Sequence, residues 1–235
     1  MVAEPTLLEQ RFSLERLSKY REAVGGDLQD AFVLYEWNAK MAATFWTTLG
    51  HVEVLVRNAM HQRLTEWSTE TYSEPRWYLD PGNVFTVKGR ETIENARKTA
   101  IMKNRRETPG RVVAELTFGF WRFLLISAYD RSLWKPCLRH VWPGQSLRQA
   151  VNEPFGELLD LRNRIAHHEP IYNRPLQNLH EKALTLAEWT CPETAEWIRS
   201  RCDVLSVLKT RPWTRPAPAR GQRPPHQRNR PYRGW

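Results

Sequence analysis

The segment LLDLRNRIAHHEP, residues 158–170, holds the side chains of this chain best suited to chemistry on a phosphodiester. Cutting RNA by attack of its own 2′-hydroxyl needs a proton removed from that hydroxyl, a proton given to the leaving oxygen, and compensation of charge on the phosphorane. Histidine titrates near neutrality and does either proton step. Arginine presents a planar, permanently charged fork that matches phosphate oxygens. Arg162 and His167 supply those two types, and Asn163 between them can orient the imidazole or a phosphate oxygen by hydrogen bonds. No metal and no other cofactor enters this scheme.

On a helical wheel of about 100° per residue, Leu158, Leu161 and Ile165 share one face, while Asp160, Asn163, Arg164 and His167 gather opposite. Arg162 falls about 140° from His167 by the same arithmetic. A regular helix therefore does not aim the two at one point. Either the helix distorts ahead of Pro170, or the site is completed across a subunit interface. The same residues also make ordinary structural sense, since an arginine pairs readily with a carboxylate one turn away and a histidine at a helix end complements the dipole. His167, His168 and Glu169, with His180 as a third ligand, suggest a metal only weakly. Adjacent histidines point about 100° apart on a helix and chelate poorly, so no metal ligand is assigned.

A second segment, HVEVLVRNAMHQRL at 51–64, repeats the Arg-Asn pair at Arg57-Asn58. Glu53, Arg57 and His61 form a polar stripe at i, i+4 and i+8, read as a Glu53–Arg57 ion pair that fixes helix packing. The alternative places Arg57 or Asn58 in the same cleft as Arg162. The spacing Arg-x3-His differs from Arg-x4-His, so this is not a second copy of the site.

Helices must position these groups. Phe12 to Val24 reads as a first short helix ended by Gly25-Gly26, and Asp27 as the cap of a long second one running towards Trp67 with a bend at Gly50. Leu34, Trp37, Met41 and Phe45 recur at helical spacing along it. Residues 72–86, with Pro75, Pro81 and Gly82, read as a loop, and Thr86 to Asn104 as an exposed helix. Thr108-Pro109 starts the next, which carries the apolar run to Tyr129. A short helix at Leu133 to Val141, the motif helix from Leu147 to His168 with a bend near Pro154, and two more at Leu176 to Trp189 and Pro192 to Leu208 complete the set. No alternating strand pattern is found, so the fold class is all-α.

Composition bounds the rest. With 235 residues and 41% hydrophobic content, the chain suits one globular core at 1–210. Residues 211–235 hold seven Arg, six Pro and no acidic residue, so most of the net charge of +9 sits there. This tail is expected to be disordered and to bind RNA through Arg211, Arg215, Arg220, Arg223, Arg228, Arg230 and Arg233, with Trp213, Tyr232 and Trp235 stacking on bases. Three dispersed cysteines favour neither a zinc knuckle nor a disulfide framework and fit a reducing, cytoplasmic setting. The N-terminus does not read as a signal peptide. The most apolar stretch, Leu116 to Tyr129, is interrupted by Arg122 and too short for a membrane span, so no membrane is expected as a partner.

The hexapeptide Arg162-Asn163-Arg164-Ile165-Ala166-His167 resembles the R-x4-6-H motif of HEPN domains. Three blocks in order, WNAKMAATFWTTLGHVEVLVRNAMHQRL, VVAELTFGFWRFLL and LRNRIAHHEPIYN, resemble the Abi-like proteins of bacterial abortive-infection systems over most of residues 25–210. The resemblance implies a HEPN-like helical bundle, a homodimer that brings two motifs into one cleft, and metal-independent endoribonuclease activity in phage defence or a toxin–antitoxin-like system. It assigns catalysis to Arg162, Asn163 and His167. Arg164, His168, Arg57 and Asn58 are expected to touch RNA, and a regulatory RNA or an antitoxin is an expected further partner. Two other classes compete: a non-catalytic module that binds a small RNA or a partner protein, and a pure protein-interaction role for the Pro-rich tail.

Overall fold

The computed structural model describes residues 4–102 and 106–212. Ten α-helices follow one another: α1 (Pro5–Phe12), α2 (Leu14–Ala23), α3 (Leu28–Tyr72), α4 (Val87–Ile101), α5 (Pro109–Glu115), α6 (Phe118–Phe123), α7 (Arg148–Ala166), α8 (Leu176–Thr190), α9 (Pro192–Ser200) and α10 (Val204–Lys209). The described residues contain no strand. The all-α expectation holds. No described helix is long and apolar enough to cross a membrane.

The chain divides into two compact units, one comprising 1–37 with 211–235 and the other Asn38–Thr210. In the first, Ser13 at φ 73° separates α1 from α2, where the sequence reading placed one helix starting at Phe12. Phe12 packs on Phe32 and Tyr35, and Arg211 lies over the Trp37 ring at 5.7 Å. The other tail arginines, from Arg215 to Arg233, and the aromatics Trp213, Tyr232 and Trp235 lie outside the described residues.

The second unit is built on α3. Asp27 accepts from the Asp30 amide at 2.8 Å, the expected N-terminal cap. The helix then continues unbroken through Gly50, where a bend was expected, and ends five residues beyond Trp67. Met41, Phe45, Leu49, Val52, Val56, Met60 and Leu64 are all buried along one stripe, and that continuous stripe carries the helix past the glycine. Around Trp77 in the loop after α3, the rings of Tyr78, Phe85, Phe120 and Trp121 pack within 6.4 Å of its own. Burial of so many large rings stabilises this end of the unit by several kcal/mol, at about 1.5–3 kcal/mol per buried large side chain.

The apolar run after Pro109 is divided, against expectation. Leu116 and Thr117 leave the helix between α5 and α6, and the indole N–H of buried Trp121 donates to the Leu116 carbonyl at 3.2 Å. A large side chain thus satisfies the carbonyl that the break exposes. Likewise Leu133 to Val141 forms a π-helical turn and a 3₁₀ turn around Pro136 rather than one α-helix. Residues 201–203 split the last predicted helix into α9 and α10. Helix α7 keeps Pro154 inside it and buries Val151, Phe155, Leu158, Leu161 and Ile165, the stripe that the wheel predicts, and packs against α6 and α8.

Candidate active site

The end of α7 is tightly specified. His167 still donates its amide to the Asn163 carbonyl at 3.0 Å, so the helix is regular up to that residue. His168 then adopts the left-handed conformation at φ 54°. Its amide reaches the Ile165 carbonyl at 3.0 Å, and that of Glu169 reaches the Arg164 carbonyl at 2.8 Å. This is the paired hydrogen-bond pattern that closes a helix C-terminus, here with histidine where glycine is usual. Arg164 reinforces the turn, donating to the Pro170 carbonyl at 2.9 Å and pairing with Glu169 at 3.1 Å. Buried Asn38 of α3 accepts from the amides of Ile171 and Tyr172 at 2.8 and 3.0 Å. The loop after the motif is therefore pinned to α3 by a single amide oxygen.

Of the two expected ways to unite Arg162 and His167, distortion of the helix does not occur. Arg162 turns instead to α3. Its guanidinium lies 5.2 Å from the centre of the Trp46 ring, and its Nε is 3.9 Å from a Glu53 carboxylate oxygen. Arg162 is half-buried, and its Nε lacks a hydrogen bond in this surrounding. His167 is exposed, and its imidazole has no partner among the described residues. No hydrogen bond joins it to Arg162. Asn163 is exposed on the side of α7 that faces Arg122 and Arg174, a different side from Arg162.

The Glu53–Arg57 pair expected from spacing is not formed. Glu53 serves Arg162, while Arg57 donates to the Asn58 side chain at 3.3 Å. An i, i+4 pair on an exposed helix is worth only about 0.3–0.5 kcal/mol, so a packed neighbouring helix readily takes the carboxylate. Arg57 lies one turn beyond Glu53 on the same face of α3, so the Arg57-Asn58 segment borders the Arg162 contact.

His61, the third member of that stripe, has a structural part. Trp77, almost fully buried, donates its indole N–H to His61 Nδ1 at 2.9 Å, which keeps that nitrogen unprotonated. Burial, and then the charge of Arg57, lowers the His61 pKa from its ordinary 6.5. A histidine with a lowered folded-state pKa binds its proton more readily when unfolded. It contributes stability above about pH 6.5, and that contribution is lost as pH falls through the folded value. The wild-type melting temperature should drop between about pH 6.5 and pH 5, and His61→Gln, which keeps an acceptor but does not titrate, should show a shallower drop. Parallel melting curves for the two proteins across that range would remove His61 from the account.

The metal alternative gathers no geometric support: among the described residues, no three His, Cys, Asp or Glu side chains converge, and His180 is buried on α8 beside Cys202. Sequence reasoning missed Trp46, Glu53 as the partner of Arg162, and Asn38. Trp46 carried a usable signal, an aromatic at 47% exposure on a helix whose opposite face is apolar. No family model, no curated protein and no solved structure matches this chain.

Proposed function

We propose that the chain is a metal-independent endoribonuclease of the HEPN type, acting as a homodimer in phage defence or a toxin–antitoxin-like system. The observation that carries this reading is the exposed, unpartnered imidazole of His167 at a rigidly closed helix end, with the cation of Arg162 held in place less than two turns before it. A side chain that titrates near neutrality and has no structural bond is free to exchange protons with a substrate. Since Arg162 and His167 of one chain diverge, two copies of the motif facing each other would combine one chain's arginine with the other's histidine. One His167 takes the 2′-hydroxyl proton, and the oxygen attacks the adjacent phosphorus. Arg162 compensates the phosphorane charge, and the second His167 protonates the departing 5′-oxygen. The products are a 2′,3′-cyclic phosphate and a 5′-hydroxyl end. Trp46 beside Arg162 offers a ring face on which a base can stack.

Incubation of the purified protein with labelled RNA in EDTA tests the proposal. Cleavage that persists under chelation and leaves cyclic-phosphate ends is the expected result. Binding without cleavage at any protein concentration would instead favour a non-catalytic RNA-binding module that holds a small RNA or a partner protein. One observation speaks for that second reading: Arg162 already has an anion, Glu53, and an aromatic ring as neighbours, and needs no phosphate for stability.

A further inference from the structure

A groove of about 590 Å³ runs along α7 on the side away from Arg162, lined among others by Arg122, Asn152, Glu153, Asp160, Asn163 and Arg174. Its polar groups fall into two sets. Glu157, also at its edge, is bonded to Lys182 at 2.6 Å, and Asp160 to Arg174 at 3.0 Å, so these carboxylates are neutralised within the fold. The others are not. Arg122, half-buried on α6, makes no hydrogen bond or ion pair among the described residues, and its Nε is buried without a partner. The Oδ1 of Asn152 and the Nε of Arg174 are buried and unpartnered as well. Glu153 and Asn163 have no side-chain partner among the described residues. Buried polar atoms are paired in more than about nine cases in ten, so three orphans around one groove point to a ligand that supplies the missing partners.

The glycine at 156 makes room for this arrangement. A Cβ there would touch Nη2 and Nε of Arg122 at 3.4 and 3.5 Å, and any larger side chain would take the guanidinium's place. The open groups also define the ligand's chemistry. Two arginines face three carboxylates, so a bare phosphate is poorly matched. A neutral heterocycle with acceptors on one edge and donors on another fits. Arginine N–H groups want two adjacent acceptors, and the Asn152 oxygen and Glu153 carboxylate want donors. Among the four RNA bases, guanine offers this pairing, with O6 and N7 as acceptors and N1–H and N2–H₂ as donors.

We infer that the α6–α7 groove is a guanine-binding subsite for single-stranded RNA, reading the nucleotide next to the one cut. The inference rests on the ribonuclease reading for its link to cleavage. That link is the helix itself: Asn163 lines the groove, and His167 lies one turn further on the same face, about 6 Å along the axis. A base seated beside Asn163 thus leaves the neighbouring phosphate within reach of His167. Arg122 and Asn152 are specificity residues, and they take no part in proton transfer.

Titration of full-length protein with GMP, AMP, CMP and UMP, followed by NMR or calorimetry, tests the subsite without requiring cleavage. GMP should bind about tenfold or more tightly than the other three, the scale of discrimination that a bidentate base contact supplies. Inosine monophosphate, which lacks the N2 amine, and 7-deaza-GMP, which lacks the N7 acceptor, should each lose most of that advantage on the unmodified protein. Arg122→Ala and Arg122→Lys should both level the four affinities. Equal binding of all four nucleotides by the wild type, or a GMP preference unchanged in a folded Arg122 variant, overturns the subsite. Loss of all RNA cleavage with the GMP preference intact would count against the nuclease reading and leave the base site standing. RNA cleavage without any GMP preference would do the reverse.

Discussion

Replacing His167 with alanine should lower RNA cleavage by about 10²–10⁴-fold, the usual contribution of a positioned acid–base group, and should leave the helical CD spectrum and the melting temperature unchanged. The separation of the two effects follows from how the residue is held. Its backbone closes α7 through hydrogen bonds to Asn163 and from the turn that follows, and alanine keeps every one of those bonds. Its ring is exposed and bonded to nothing among the described residues, so truncation removes no packing. Because the dimer needs the ring twice, as base and as acid, mixed dimers of wild-type and mutant chains should retain less than half the activity of the wild type. His167→Ala protein that cleaves at the wild-type rate would sink the catalytic assignment. A mutant that loses both activity and stability would show that the ring has a structural duty that exposure does not suggest.

How far the site could be read from sequence depended on distance along the chain. The wheel placed Leu158, Leu161 and Ile165 on the buried face and Arg162 away from His167, and both follow from the 100° step of a regular helix. The cap at Asp27 and the start at Pro109 were legible for the same reason, as local backbone chemistry within three or four residues. What failed needed knowledge of a distant neighbour. The Glu53 carboxylate has Arg57 within its own helix, yet it serves an arginine 109 positions further on. Asn38 looks like a stray polar residue between Trp37 and Met41 until α7 ends above it and presents two amides. The helix breaks at 116–117 and 201–203 likewise carry no glycine or proline signal, and the first is satisfied by a tryptophan ring whose position only packing sets. Arg122 is an intermediate case. It was visible as the one charge in the most apolar stretch, where it served to argue against a membrane span, while the groove it lines gives it a more specific purpose.

The second large effect is expected at Arg162, where stability and activity can be taken apart. Arg162→Ala should reduce cleavage by about 10²–10³-fold, comparable to removing one donor that stabilises transition-state charge. Unlike the His167 change, it should also lower the melting temperature by a few degrees. The side chain is half-buried between Trp46 and Glu53, and its loss removes a cation–π contact worth roughly 0.5–2 kcal/mol and leaves a half-buried carboxylate without its counter-ion. In a chain of this size, 1 kcal/mol shifts the midpoint by about 2–4 °C. Adding Glu53→Gln to Arg162→Ala should therefore recover part of the stability, since the orphaned charge is gone, and none of the activity. Arg162→Lys should keep the charge near Glu53 and most of the stability, yet still cleave poorly, because an ammonium cannot replace the planar fork on two phosphate oxygens. Full activity in Arg162→Lys would reduce the residue's part to a point charge. Recovery of cleavage in the double variant would show that Arg162 matters only for holding α7 against α3, and that the phosphorane charge is met by another group.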